Sequence, residues 1–202
     1  MVIEKSLIKV ILEFWFGGSP LKKRVLLLTG SPGVGKTTVL LRVVESLKAK
    51  GYSVGGMVSR EVRSDRTRIG FEILDLGSGR RGWLAHVNQK VGPRLGKYRV
   101  NLEDLDNIGA NAIVSAAENF DVVVIDEIGP MELFSEKFRG AVRKAVEGGK
   151  LVVGVVHWKA RDRLIDEVKS REDTEVILVT SENRDKLDET IIGKAVEFLE
   201  HA

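Results

Sequence analysis

The sequence predicts an α/β domain, a mainly parallel sheet with helices on both faces and a β-hairpin inserted at one edge. Three observations carry that expectation. Short runs that are apolar throughout alternate with longer runs whose apolar residues recur at helical spacing. Strands apolar on both sides belong to a parallel sheet covered on both faces. Residues 60–99 break the alternation and read as paired polar strands, a basic hairpin insertion.

The elements follow in order. Residues 1–21 form an N-terminal amphipathic extension, with Ile3, Leu7, Ile11, Phe14 and Trp15 on one helical face. Lys9 and Glu13 interrupt the apolar stretch, which argues against a signal peptide or a membrane span. The main domain is expected over residues 22–202. "RVLLLT" at 24–29 is the first strand, and Lys36 to Lys50 a helix stopped by Gly51. "VGGMVS" at 54–59 is the next strand, and Arg68 to His86 the hairpin around Gly77-Ser78-Gly79. The strands "VVVID" (122–126), "LVVGVV" (151–156) and "VILV" (176–179) alternate with helices at Ser135 to Glu147 and Arg161 to Lys169. A last helix spans Arg184 to Glu200, with Leu187, Ile191, Ile192, Ala195 and Leu199 on one face.

Composition narrows the function. The 202 residues are 43% hydrophobic and 30% charged, enough for one ordinary core. No cysteine is present, so disulfides and thiolate metal sites are excluded; a cytoplasmic setting is expected. The net charge of +3 is too small to argue for nucleic acid. Residues 60–99 nevertheless hold ten Lys and Arg against four Asp and Glu, so basic charge is local.

The chemistry starts at Gly30-Ser31-Pro32-Gly33-Val34-Gly35-Lys36-Thr37-Thr38, which satisfies G-x-x-x-x-G-K-[ST] between a strand and a helix. The glycines let backbone amides curl around phosphate oxygens, and the helix points its positive end at the same anion. Lys36 adds a charge for the β and γ oxygens, and the Thr37 hydroxyl is placed to ligate Mg²⁺. Val122, Val123, Val124 and Ile125 carry Asp126 to a strand's carboxyl end, where it would hold the metal through a water. Glu127 follows, ahead of Ile128 and Gly129. Neighbouring strand residues face opposite ways, so Glu127 is expected to orient or deprotonate an attacking water; the plainer reading is a helix-start acid.

These motifs, with "REVR" before "RIGFEI", "VGPRLGKYRV", "VIDEIGPMELF" and "VTSENRD" in that order, resemble the nucleoside-triphosphatases first described from thermophiles. The resemblance runs from about Lys22 to the C-terminus. It implies a RecA-like P-loop domain that hydrolyses ATP, GTP and other nucleoside triphosphates slowly with Mg²⁺. Gly30 to Thr38 and Val122 to Gly129 would be its nucleotide-binding segments. Two departures stand out: Pro130 occupies a position that is lysine in many members, and residues 1 to about 20 extend past the usual start.

Further positions carry two readings each. Arg63, in the matching "EVR", is the first choice for the guanidinium that neutralises γ-phosphate charge; otherwise it is solvated or paired with Glu61. Asn183 and Arg184 follow the last strand and are expected to bind the nucleotide, Arg184 stacking on a purine face; otherwise Asn183 caps the next helix. His157, ending "LVVGVV", would sense the γ-phosphate or hydrogen-bond locally. The expected reaction is hydrolysis to diphosphate and phosphate with weak base selectivity. The expected partners are nucleoside triphosphates, with no membrane, RNA not favoured, and a monomer or weak dimer. The rivals are a P-loop kinase of a small molecule or nucleoside, and a nucleotide-gated RNA-binding module.

Overall fold

A computed structural model describes residues 22–201. The helix predicted within residues 1–21 lies outside them. In chain order the first elements are β1 (Val25–Thr29), α1 (Lys36–Ala49), β2 (Val54–Ser64), β3 (Thr67–Asp75), β4 (Arg81–His86), β5 (Arg94–Leu95) and β6 (Tyr98–Val100). A broken helical stretch follows: α2 (Leu102–Asp104), a π turn (Leu105–Ala110) and α3 (Asn111–Asn119). Then come β7 (Val122–Ile128), a 3₁₀ turn (Glu132–Phe134), α4 (Glu136–Glu147), β8 (Leu151–Val156), α5 (Arg163–Lys169), β9 (Thr174–Leu178) and α6 (Leu187–Leu199).

All the strands join one sheet in the order β5-β6-β4-β3-β2-β7-β8-β1-β9. The half from β2 to β9 is parallel. Within it β8 separates β1 from β7: Val152 stands opposite Val25 on one side and Val123 on the other. This register lines up the carboxyl ends of β1, β8 and β7, where the site lies.

The continuous apolar runs do what they predict. Val25 and Leu27 join a core with α3, α4 and α5, while Leu26 and Leu28 join a second core with α1 and α6. Each β1 residue from Val25 to Leu28 is fully buried. Helices therefore cover both faces, as the fold class requires.

β2 is longer than its apolar run suggested. Its start pairs in parallel with β7, Val54 opposite Val122, and its far end pairs antiparallel with β3, Glu61 opposite Phe71. The polar end was hard to read as strand because it is exposed beyond the helical layers. Asp65 and Arg66 make the two-residue turn to β3 with φ of 47° and 65°. At Gly56, φ is 115°, and a Cβ would stand 2.1 Å from the Val124 carbonyl oxygen; only glycine lets β2 lie this close to β7. The predicted hairpin is β3 and β4, and β6 and β5 extend it.

The helical stretch at 102–119 escapes the sequence reading. The π turn shifts the apolar period in mid-helix. Gly109 within it has Met57 Sδ 2.6 Å from where a Cβ would stand, so the glycine serves close packing. At the other end α6 begins at Leu187, three residues after the predicted start.

Candidate active site

The phosphate loop joins β1 to α1. Gly33 and Gly35 hold φ of 77° and 109°, which side chains resist. Gly30 is closed in as well: a Cβ there would stand 2.5 Å from the Val179 carbonyl oxygen. Gly35 is the N-cap of α1, so the helix's free amides open onto the loop. Lys36 folds back over it, Nζ donating to Gly30 O at 3.0 Å and to Ser31 O at 3.2 Å.

β7 brings the acids to the same place. A cleft of about 510 Å³ is lined by Lys36, Thr37, Asp126, Glu127, Glu132 and His157, with the hairpin forming its far wall. The ladder between β7 and β8 loses register between Ile125 and Ile128. The alternation that would separate Asp126 from Glu127 stops there; the peptide between them is cis, and both side chains line the cleft.

Asp126 is 2% exposed, and its Oδ2 is buried with no hydrogen-bond partner. Burial pushes its pKa up to about 7; a hydrogen bond from Thr37 opposes that, Glu127 adds to it and Lys36 opposes it. The Glu127 carboxyl is also raised, by burial above all, with the His157 ring and Lys36 pulling the other way. Glu132, 3% exposed, is pushed to about 8 by burial and then by Glu127. A methyl at Gly129 would stand 2.7 Å from Glu127 Oε1 and 3.0 Å from Glu132 Oε2. The glycine leaves the room in which these two acids meet.

Sequence reasoning missed Glu132. Its signal was an acid in "PMELF" that the 3₁₀ turn after β7 folds back toward the strand end, a placement no periodicity announces.

The hairpin contributes Ser59, Glu61, Arg68 and Phe71 to the cleft. Glu61 takes both Arg63 and Arg68, and Arg63 also donates to the Arg66 carbonyl at 3.1 Å. Arg68, not Arg63, is the arginine among the cleft-lining side chains. Pro130 and Met131 line the opposite rim. Asn183 does not cap α6. Its Oδ1 accepts from Thr180 N at 2.8 Å and its Nδ2 donates to Leu178 O at 2.8 Å, closing the loop after β9. That loop delivers Arg184 to the phosphate loop, where Nη1 donates to Val34 O at 3.3 Å. Gly35, Thr38, Arg42 and Arg184 line a smaller hollow of about 210 Å³ beside it.

The donor set suits a hard cation. Thr37 and Asp126 offer a hydroxyl and a carboxylate, and the unpartnered Oδ2 is the atom a cation would satisfy. Among the described residues no three His, Asp or Glu side chains form a self-contained metal site. That fits Mg²⁺, which uses one or two protein oxygens and completes its shell with water and substrate phosphate. Among the described residues no helix is long and apolar enough to cross a membrane.

Comparison with known proteins sets the chain beside nucleoside-triphosphatases. The family described as NTPase matches residues 25–192. The nucleoside-triphosphatase THEP1 of Methanosarcina acetivorans is 47% identical over 173 residues, which are 85% of this chain and 97% of that protein. THEP1 of Thermofilum pendens is 46% identical over 162 residues, 80% of this chain and 89% of that protein. Two solved structures share the fold. The crystal structure of THEP1 from the hyperthermophile Aquifex aeolicus aligns with a TM-score of 0.70 at 31% identity, covering 83% of this chain and 95% of that one. The solution structure of a human cancer-related nucleoside triphosphatase aligns with a TM-score of 0.71 at 37% identity, covering 84% and 96%. A phosphate loop and an acidic strand end on one sheet, together with these likenesses over most of the chain, place the protein in the THEP1 family of P-loop nucleoside-triphosphatases.

Proposed function

We propose that the chain hydrolyses ATP, GTP and other nucleoside triphosphates to diphosphate and phosphate with Mg²⁺ and weak base selectivity. The observation that carries this is the partnerless, buried Asp126 Oδ2 in one cleft with Thr37, Lys36 and Glu127.

The triphosphate enters over the loop. Amides from Gly30 to Thr38 surround its oxygens, and Lys36 exchanges the carbonyls of Gly30 and Ser31 for the β and γ oxygens. Thr37 and Asp126 would hold Mg²⁺, which would supply positive charge to offset that of the phosphates. Glu127 orients a water in line with the γ-phosphorus and takes its proton. The water oxygen bonds to phosphorus as the bridge to the β-phosphate breaks, and the diphosphate leaves with the electron pair. Val122 to Ile125, Ile128 and Gly129 serve as the frame that holds the two acids at the strand end. A hairpin arginine neutralises charge on the γ oxygens: Arg63 was the expected residue, and Arg68, sharing Glu61 with it, stands at the cleft. Asn183 shapes the loop from which Arg184 stacks on the base. A stacking guanidinium accepts any base, hence the weak selectivity.

The test is phosphate release over a panel of nucleoside triphosphates without an acceptor, for the parent and Glu127→Gln. The variant should bind Mg-ATP like the parent and hydrolyse it at least about tenfold more slowly. Equal turnover removes Glu127 from the mechanism; no free phosphate, with diphosphate formed only when an acceptor is added and takes the phosphoryl group, makes the chain a kinase.

A further inference from the structure

His157 lies at the end of β8, the strand between the phosphate loop and the acids, and its ring lines the cleft. Its backbone N–H donates to Ile128 O at 3.1 Å, which ties it to the strand carrying Glu127. Its Nδ1 is fully used. It accepts from Ala160 N at 3.0 Å and from Lys159 N at 3.3 Å, closing the turn after β8. A ring nitrogen that accepts carries no proton, so the neutral ring has its proton on Nε2. That N–H has no hydrogen-bond partner among the described residues. Glu127 and Lys36, the base and the cation of the proposed reaction, line the same cleft as His157.

We propose that His157 is a catalytic residue of the hydrolysis, its Nε2–H donating to an oxygen of the γ-phosphoryl group as that group passes from the diphosphate to water. This rests on the reading above that the γ-phosphoryl group lies between Lys36 and Glu127. The turn amides fix which nitrogen carries the proton, so the ring presents a donor, not an acceptor, to a group gathering negative charge. A preset donor aimed where charge develops stabilises the transition state more than the bound substrate. It also divides labour on the cleft wall: Glu127 receives the water's proton while His157 keeps its own.

Two substitutions separate this role from turn closure. Asparagine can replace Nδ1 as the acceptor for the turn but cannot reach as far as Nε2. Glutamine places an amide N–H near the Nε2 position and gives up the turn acceptor. Steady-state hydrolysis of Mg-ATP is measured with inhibition by ADP, Mg²⁺ and aluminium fluoride as a transition-state mimic. His157→Asn should lower kcat about tenfold or more with KM within about twofold, and weaken the mimic by a like factor. His157→Gln should recover kcat to within about threefold of the parent. Thermal midpoints of both variants report the turn. Parent kcat in His157→Asn, a loss confined to KM, or His157→Gln no faster than His157→Asn overturns the assignment. A slow Glu127→Gln beside any of these leaves the underlying reading standing; a fully active Glu127→Gln brings that reading down instead.

Discussion

Arg184 donates to the carbonyl oxygen of Val34, 3.3 Å away, across 150 positions of the chain. The contact joins the loop after β9 to the phosphate loop, and only the parallel pairing of β9 with β1 makes them neighbours. The Arg184 Cδ is 3.6 Å from where a Gly35 Cβ would stand, so its stem lies along the loop and its guanidinium sits at the loop's rim, beside Val34 O and Asp185.

Arg184→Ala should therefore act on binding. We expect KM for ATP and GTP to rise together by about three- to tenfold, the scale of one cation–π contact, with kcat nearly unchanged. Steady-state kinetics with purine and pyrimidine triphosphates checks it. A fall in kcat with constant KM would place Arg184 in the chemistry.

Gly129→Ala tests the room between the acids. The new methyl would stand 2.7 Å from Glu127 Oε1, closer than real Cβ contacts, so the carboxylate must move. We expect kcat to fall on the order of 10–100-fold with substrate affinity retained, since misplacing a reacting group by about 1 Å has that effect. Kinetics together with direct binding of a non-hydrolysable triphosphate decides it; unchanged kcat would mean that Glu127 tolerates displacement.

How much of this was legible follows from the range of each signal. The phosphate loop was fully legible because its chemistry is contiguous: Gly30 to Thr38 holds the amides, the charge and the hydroxyl within one turn. Asp126 was legible because a run of buried apolar residues points to it. Glu127 and His157 were legible as strand-end residues with two readings each, but the place of Glu132 beside them was not. Glu132 returns through a 3₁₀ turn, and His157 reaches the site only because β8 lies beside β7. The difference between Arg63 and Arg68 depends on how β2 and β3 register across the Asp65-Arg66 turn, which the charge pattern does not encode. Helix α3 was hidden by the π turn before it.

The acids give stability a pH dependence of definite sign. Asp126 is raised to about 7, Glu132 to about 8, and Glu127 upward as well. Folded-state values above the unfolded ones mean that the folded chain keeps protons the unfolded chain has released. Their contribution is complete below the ordinary carboxylate values and is lost as pH rises through about 7 for Asp126 and about 8 for Glu132. The nucleotide-free protein should thus lose thermal stability between about pH 4 and 8 and level off above that, and Glu132→Gln, which cannot ionise, should lose less. Adding Mg²⁺ should flatten the slope by favouring the Asp126 carboxylate. Melting curves across that range, with chelator or with Mg²⁺, supply the measurement; a parent that gains stability as pH rises contradicts the assignment.

The support under the Glu132 turn carries a prediction of opposite sign. Arg139 on α4 donates to Asp162 through both terminal nitrogens, at 2.9 and 2.7 Å, and through Nε to Leu133 O at 2.8 Å. Asp162 is also the N-cap of α5, accepting from Leu164 N at 2.9 Å. One carboxylate thus fastens α5 to α4, and its arginine fastens α4 to the 3₁₀ turn that bears Glu132. The Arg139 hydrogen bond first, then the α5 cap, holds its pKa below the ordinary carboxylate value against a burial penalty. Asp162→Ala removes cap and fork together and should destabilise by about 2–3 kcal/mol. Asp162→Asn keeps the cap and loses the charge, so its cost should be smaller. Because the folded value is depressed, the contribution is present above the unfolded carboxylate pKa and disappears as pH falls through the folded one. The stability gap between parent and Asp162→Asn should be constant near neutrality and close in acid below about pH 4. Denaturant titrations at pH 7 and at successively lower pH measure it, and a gap that widens in acid would show that the ion pair is not what Asp162 contributes.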